Sequence, residues 1–242
     1  MVPALVLTAG LATRLRPLSL VRAKAALPVA GVPLVHRILR SLAASGVTRA
    51  VLTLHHLPHT LTRIVGDGGG LGLRVRYSWE VPVLGPAGGP RRAAPLLAPT
   101  FLIINGDTLT DVDITALLAH HRRSGALATM AVVPNTQPDK YSGLSADREG
   151  ALTGFAKRGS PDNVFHYLGV QVVESEAFAS VPEHVPFETS ALYTSLIASR
   201  PGAIRLFNSS AEFFDIGTPA DYLVTTLLIG SREGHASAGP SR

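Results

Sequence analysis

Residues 3–18 read Pro3-Ala4-Leu5-Val6-Leu7-Thr8-Ala9-Gly10-Leu11-Ala12-Thr13-Arg14-Leu15-Arg16-Pro17-Leu18, an apolar run that empties into a loop of small residues and then meets a cation. Pro3 to Thr8 has the unbroken apolar character of a buried strand. In the loop that follows, small side chains let a ligand approach the backbone, and successive main-chain N–H groups in a tight turn form a concavity suited to an anion. Neither the G-x-G-x-x-G spacing of dinucleotide folds nor the G-K-[ST] ending of a Walker loop is present. A second basic element strengthens the anion reading. Lys24 stands in the otherwise apolar stretch Ala23-Lys24-Ala25-Ala26-Leu27-Pro28-Val29, and a lysine among such neighbours requires a partner. A triphosphate would be one.

Working outward, apolar runs alternate with longer helical patterns, the signature of βαβ units around a mostly parallel sheet. Strands are expected at Arg49 to Leu54, Leu73 to Ser78, Thr100 to Ile104, Ala126 to Val133, Leu168 to Val173 and Ala203 to Phe207. Helices are expected at Pro33 to Ser45, Pro58 to Val65, Asp113 to Arg123 and Glu188 to Ser199. From Pro134 to Asn163 the text turns polar and turn-rich, with Asp147 to Gly150 as a hairpin tip, and predicts a lid or insertion. Thr218-Pro219-Ala220-Asp221 predicts a helix start running to about Ile229. Ser231 to Arg242 is expected to be a mobile tail. The expected organisation is one domain over residues 1–230, followed by that tail.

The chain has 242 residues, 22 Lys plus Arg against 17 Asp plus Glu, a formal charge of +5 and no Cys. Disulfide scaffolds and cysteine-ligated metal sites are therefore excluded, while the absence of Cys leaves the redox compartment open and the cytoplasm is expected by default. No membrane segment or signal peptide is expected. The basic surplus is scattered, with short pairs such as Arg91-Arg92 and Arg122-Arg123 and no interleaved aromatics, so nucleic acid is not the expected partner. Small polyanions suit it better.

Two carboxylates follow apolar runs: Asp107 in Asn105-Gly106-Asp107, and Asp215 in Asp215-Ile216-Gly217 after Glu212-Phe213-Phe214. Both are expected at the carboxyl ends of strands, where open α/β sheets hold their ligands. Mg²⁺ is held by one or two carboxylates plus substrate phosphates, which such a pair offers. A turn or capping aspartate is the alternative reading of Asp215. His55-His56-Leu57-Pro58-His59 lacks helical spacing for a zinc site and reads as a loop.

These segments, together with Pro33-Leu34, Phe155-Ala156-Lys157, Gly169-Val170-Gln171-Val172, Thr218-Pro219 and Asp221-Tyr222, resemble the sugar-1-phosphate nucleotidylyltransferases from about Met1 to Ile229. The likeness is greatest to short bacterial members related to mannose-1-phosphate guanylyltransferase and N-acetylmuramate-1-phosphate uridylyltransferase. The resemblance implies a single Rossmann-like sheet sandwiched by helices, with a small β-rich insertion on the sugar side. The chain is expected to stop before the β-helix or acyltransferase domain of longer relatives.

By position, the resemblance implies that Leu7, Ala9, Gly10, Leu11, Ala12 and Thr13 hold the nucleotide, with Glu80, Gly85 and Gly88 near its base and sugar. Arg14 and Lys24 would neutralise its phosphates, and Asp107 and Asp215 would ligate Mg²⁺. Asn105, Gly106, Gly143, Lys157, Gly169 and Glu188 would serve the sugar phosphate, with Lys157 contacting it directly. Arg14, Lys24, Asp107, Lys157 and Asp215 form the implied catalytic set. The implied partners are a nucleoside triphosphate and a sugar 1-phosphate; a homo-oligomer is left open.

Several departures matter. Ala12 replaces a glycine, so a left-handed backbone there would be strained. Ala23 and Ala25 replace prolines, Ala156 a glutamate, and Tyr167 an asparagine. They keep two other readings in view: a catalytically degenerate subunit that binds nucleotide sugar, and a uridylyltransferase acting on an amino-sugar 1-phosphate. A dinucleotide-dependent oxidoreductase rests on the opening strand and loop alone.

Overall fold

The computed structural model describes residues 2–237. In chain order the elements are β1 (Ala4–Leu7), β2 (Pro28–Val29), β3 (Val32–Pro33), α1 (Leu34–Ala44), β4 (Arg49–Leu54), α2 (Pro58–Val65), β5 (Arg74–Trp79), α3 (Gly85–Ala93), β6 (Thr100–Asn105), β7 (Thr108–Thr110), α4 (Ile114–Ser124), β8 (Ala128–Pro134), β9 (Gly143–Ala146), β10 (Leu152–Ala156), β11 (Phe165–Glu174), α5 (Thr189–Ser199), β12 (Ile204–Asn208), β13 (Phe213–Asp215) and α6 (Pro219–Ser237).

One mixed sheet orders its strands β10-β9-β11-β6-β1-β4-β5, with β8 joined to β11 and β12 to β8. The half carrying the opening segment, β6-β1-β4-β5, is all parallel. The long strand β11 runs antiparallel to both β6 and β8 and carries the chain into the insertion, where β9 and β10 form a hairpin. Its tip is the expected one, closed by the Gly150 N–H donating to the Asp147 carbonyl at 3.1 Å.

Burial on both faces explains why β1, β4 and β6 lack polar alternation, whereas the edge strand β5 leaves Arg74, Arg76 and Trp79 exposed. Ala4 and Val6 of β1 and Leu102 and Ile104 of β6 pack beneath α1, α2 and α4. Leu5, Phe101 and Ile103 point the other way, into a cluster completed by α3 and α5. Helix α1 buries Leu34, Val35, Ile38, Leu39 and Leu42, the stripe expected from spacing. Asp113 caps α4 by accepting the Ala116 N–H at 2.9 Å.

Two elements depart from expectation. Helix α3, Gly85-Pro86-Ala87-Gly88-Gly89-Pro90-Arg91-Arg92-Ala93, has a loop-like composition. Its glycines are required by packing: a Cβ at Gly88 would lie 2.9 Å from the Val185 carbonyl oxygen, and one at Gly89 would lie 2.6 Å from Glu80 Oε1. Tertiary contact here overrides a propensity penalty of about 1 kcal/mol per glycine. Helix α6, expected to end near Ile229, continues to Ser237, so residues 231–237 of the expected tail are helical. Charged links anchor the extension: Arg232 bonds both carboxylate oxygens of Glu212 at 2.6 and 3.2 Å, and Arg37 bonds both of Glu233 at 2.6 and 3.1 Å. The rest of the expected tail, 238–242, lies outside the described residues.

Candidate active site

At the carboxyl ends of β1, β4 and β6 the sheet opens into a cleft of about 520 Å³. Of the residues singled out in the sequence, Leu7, Ala9 to Arg14, Lys24, Glu80, Gly85, Asn105, Gly106 and Asp107 line it.

The opening loop is held at its root from the neighbouring strand. Thr53 Oγ1 on β4 accepts the N–H groups of Thr8 and Ala9 at 2.9 and 3.1 Å, and the Thr8 hydroxyl donates to the Thr53 carbonyl. Beyond that root, the amides of residues 10–14 make no hydrogen bond among the described residues. Ala12 has φ 48 and ψ 44, the left-handed conformation in which a side chain costs about 1–2 kcal/mol. The expected strain is present.

Lys24 begins a short turn among the buried residues Ala23, Ala25 and Ala26, and its Nζ donates to Asp107 Oδ2 at 2.8 Å. This is the partner its apolar setting demanded. Asp107 sits in the turn between β6 and β7. A Cβ on Gly106 would run into the Leu7 carbonyl, and the Gly106 N–H instead donates to that oxygen at 3.0 Å.

Asp215 closes β13. That strand lies outside the main sheet, contrary to the expected position at the end of a sheet strand. It forms a separate antiparallel ribbon with β7, in which Asp215 faces Thr108. The Ile216 N–H donates to the Asp107 carbonyl at 3.0 Å, so the ribbon draws the two acidic residues together. Burial raises the Asp215 carboxyl above the usual carboxylate range, Asp107 and Asp221 push it the same way, and Lys24 and Arg14 oppose them. Gly217 is the hub of this corner. A Cβ there would lie 3.0 Å from Asp215 Oδ2 and 3.5 Å from both Arg14 Nη2 and Asp221 Oδ2.

Glu80 is 2% exposed, and its Oε2 accepts the Leu84 N–H at 2.7 Å ahead of α3. Burial raises its carboxyl, against the lowering effect of that N–H, of His55 and of Arg92.

The sugar-side residues are less tightly gathered. Gly169, at φ +74, lies where the register of β11 against β8 shifts; a Cβ there would lie 3.0 Å from Asn105 Cβ, so the glycine makes room for the cleft wall. Glu188 precedes α5 at the cleft edge, its Oε1 3.6 Å from where a Cβ on Gly85 would stand. Gly143 sits under Asn163, whose Nδ2 donates to the Tyr141 and Pro138 carbonyls at 2.6 and 3.1 Å and shapes the insertion loop. Gly88 packs inside α3, and Lys157 is exposed in the loop after β10; neither lines the cleft.

Of the histidine segment, His55 and His56 lie in the loop after β4, as expected, whereas His59 lies in the first turn of α2. His55 Nδ1 pairs with the Glu80 carbonyl at 2.8 Å and His56 Nε2 with the Ser19 carbonyl at 2.7 Å. Among the described residues no cluster of three or more His, Asp or Glu side chains is arranged to hold a metal. A cation here would rest on Asp107 and Asp215 with substrate oxygens.

Sequence reasoning missed Thr53, signalled only as the polar residue inside Ala50-Val51-Leu52-Thr53-Leu54. It also missed a junction between insertion and ribbon. Tyr141, His166 and Phe213 stack with ring centroids 4.4 and 4.5 Å apart, and Lys140 pairs with Asp221 at 3.2 Å.

Residues 3–229 match the family model described as nucleotidyl transferase. A mannose-1-phosphate guanylyltransferase of Mycobacterium tuberculosis is 31% identical over 92% of this chain and 63% of its own length. A UTP–glucose-1-phosphate uridylyltransferase of Synechocystis is 26% identical over 95% of this chain and 64% of its own. The chain thus spans less than two thirds of the length of these relatives. Among solved structures, HddC from Yersinia pseudotuberculosis superposes with a TM-score of 0.82 at 22% identity, over 95% of this chain and all of that one, a likeness of fold. With the family model covering nearly the whole chain, and the cleft and its acidic ribbon formed by the motifs that suggested it, the chain belongs to the nucleotidyl transferase family.

Proposed function

We propose that this chain transfers a nucleotidyl group from a nucleoside triphosphate to a sugar 1-phosphate, releasing pyrophosphate, with GTP and mannose 1-phosphate as the leading pair and Mg²⁺ as cofactor. Nucleoside triphosphates are cytoplasmic, and that is the proposed compartment. The observation that carries the reading is the Lys24–Asp107 pair in a cleft lined by a loop of free amides and Arg14, with Asp215, which is not itself among the cleft-lining residues, held next to Asp107 by the β7–β13 ribbon.

The chemistry asks for little beyond positioning. A phosphate monoester has its second pKa near about 6 and is mostly dianionic at neutral pH, so the attacking oxygen requires no strong base. The free amides of the opening loop and Arg14 would hold the triphosphate, and Lys24 would lie against its charge. The donor set fits magnesium, since two carboxylates leave room for phosphate oxygens; Asp107 and Asp215 would hold it. The cation, when bound, supplies charge neutralisation between the two anions. The similarity to a mannose-1-phosphate guanylyltransferase, 31% identical over 92% of this chain, supports GTP and mannose 1-phosphate as the pair.

A panel of triphosphates and sugar 1-phosphates, assayed by pyrophosphate release with Mg²⁺, tests the proposal. GTP with mannose 1-phosphate is expected to give the highest kcat/KM, and a preference for UTP with an amino-sugar 1-phosphate would move the assignment to the uridylyltransferases. Asp107→Asn and Asp215→Asn are each expected to lower turnover by about a hundredfold or more, as for loss of a group that stabilises transition-state charge. Full activity in either variant refutes the metal assignment.

A further inference from the structure

The opening loop divides into amides already engaged and amides left free, and one hydroxyl draws the line. Thr53 Oγ1 takes both the Thr8 and Ala9 N–H groups, while the Thr8 hydroxyl returns a bond to the Thr53 carbonyl. Thr53 is 1% exposed and Thr8 6%, so water does not readily replace these bonds. The next amides, 10 to 14, have no acceptor among the described residues and line the cleft with their own residues. Thr53 also reaches the other wall: its Cγ2 lies 3.7 Å from where a Cβ on Gly89 would stand, a point itself 2.6 Å from Glu80 Oε1.

We infer that Thr53 is a positioning residue for nucleotide binding: its hydroxyl holds the root of the loop so that the amides of residues 10–14, and not those of Thr8 and Ala9, receive the phosphates. The loop has an alanine at its left-handed position, so it lacks a glycine's ease there and is held in shape from outside. A loop fixed before the ligand arrives loses less freedom on binding, and that gain falls on the triphosphate and not on the sugar phosphate. The inference rests on the nucleotide reading of the cleft.

Two measurements test it. In the first, KM for the triphosphate and for the sugar phosphate are determined separately for Thr53→Val, which keeps the shape and loses the oxygen, and for Thr53→Ser, which keeps the oxygen. Thr53→Val is expected to raise the triphosphate KM by about tenfold or more and the sugar-phosphate KM by less than about threefold, with Thr53→Ser close to the parent. Equal losses for both substrates, or a serine variant as impaired as the valine one, overturn the inference. The second needs no variant. Amide hydrogen exchange of the native chain, with and without GTP and Mg²⁺, is expected to show Thr8 and Ala9 protected from the start and new protection confined to residues 10–14. New protection at Thr8 and Ala9 equal to that at 10–14 overturns the positioning role, while no response anywhere in the loop to any triphosphate overturns the nucleotide reading beneath it.

Discussion

At Asp215 the folded chain holds a carboxylate partly out of water beside Asp107 and Asp221, and burial with these neighbours raises its pKa. The stability consequence has a definite sign. A raised carboxyl holds its proton in the folded state above the pH where the unfolded chain releases it, near 3.8, so its contribution is full below that pH and is lost as pH rises through the folded value. Asp215→Asn, which lacks the charge, is therefore expected to melt higher than the parent at pH 7 while losing activity, with the gap closing on acidification. Thermal melts from pH 3 to 8 check this, and an unchanged or lower melting temperature at pH 7 contradicts it. Lys24 was legible in the sequence because a cation among alanines must find an anion, and it finds Asp107. Thr53 was not, because a threonine in a strand is ordinary until the loop it anchors is seen.

Among the elements, the ribbon β7–β13 and the insertion meet in the stack of Tyr141, His166 and Phe213. Burial, with Lys140 adding to it, pushes the His166 pKa down to about 4 from 6.5. The folded ring stays neutral where the unfolded one takes up a proton, so this junction loses stability as pH falls from 6.5 toward 4. His166→Phe is expected to keep the stack and remove that component of acid sensitivity, read as a flatter dependence of urea midpoint on pH over that interval. Strands β1, β4 and β6 declared themselves as apolar runs because both their faces are covered. Helix α3 stayed hidden because its glycines answer to Val185 and Glu80, contacts that no local pattern encodes. The ribbon was half visible: its aspartates stood out, but its two short strands pair across distant parts of the chain.

Across the whole molecule, one sheet separates two apolar clusters, and β1 feeds both from adjacent residues. Leu5 is fully buried at the centre of the parallel half, and Leu5→Ala is expected to cost about 2–5 kcal/mol in equilibrium urea unfolding. A cost below about 1 kcal/mol would mean that the core relaxes around the vacancy. The architecture was readable because alternating elements admit few arrangements. The sugar-facing side was less so, since it is built from bulges and loops whose geometry depends on groups such as Asn163 and Asn105. The pairing of β13 with β7 has a consequence for connectivity. Asp107 and Asp215 are remote in sequence and become neighbours only through that two-stranded ribbon, which is separate from the main sheet. A polypeptide cut between β7 and β13 is expected to keep the opening loop, Lys24 and Asp107 while lacking Asp215, so triphosphate binding and nucleotidyl transfer would part company in it.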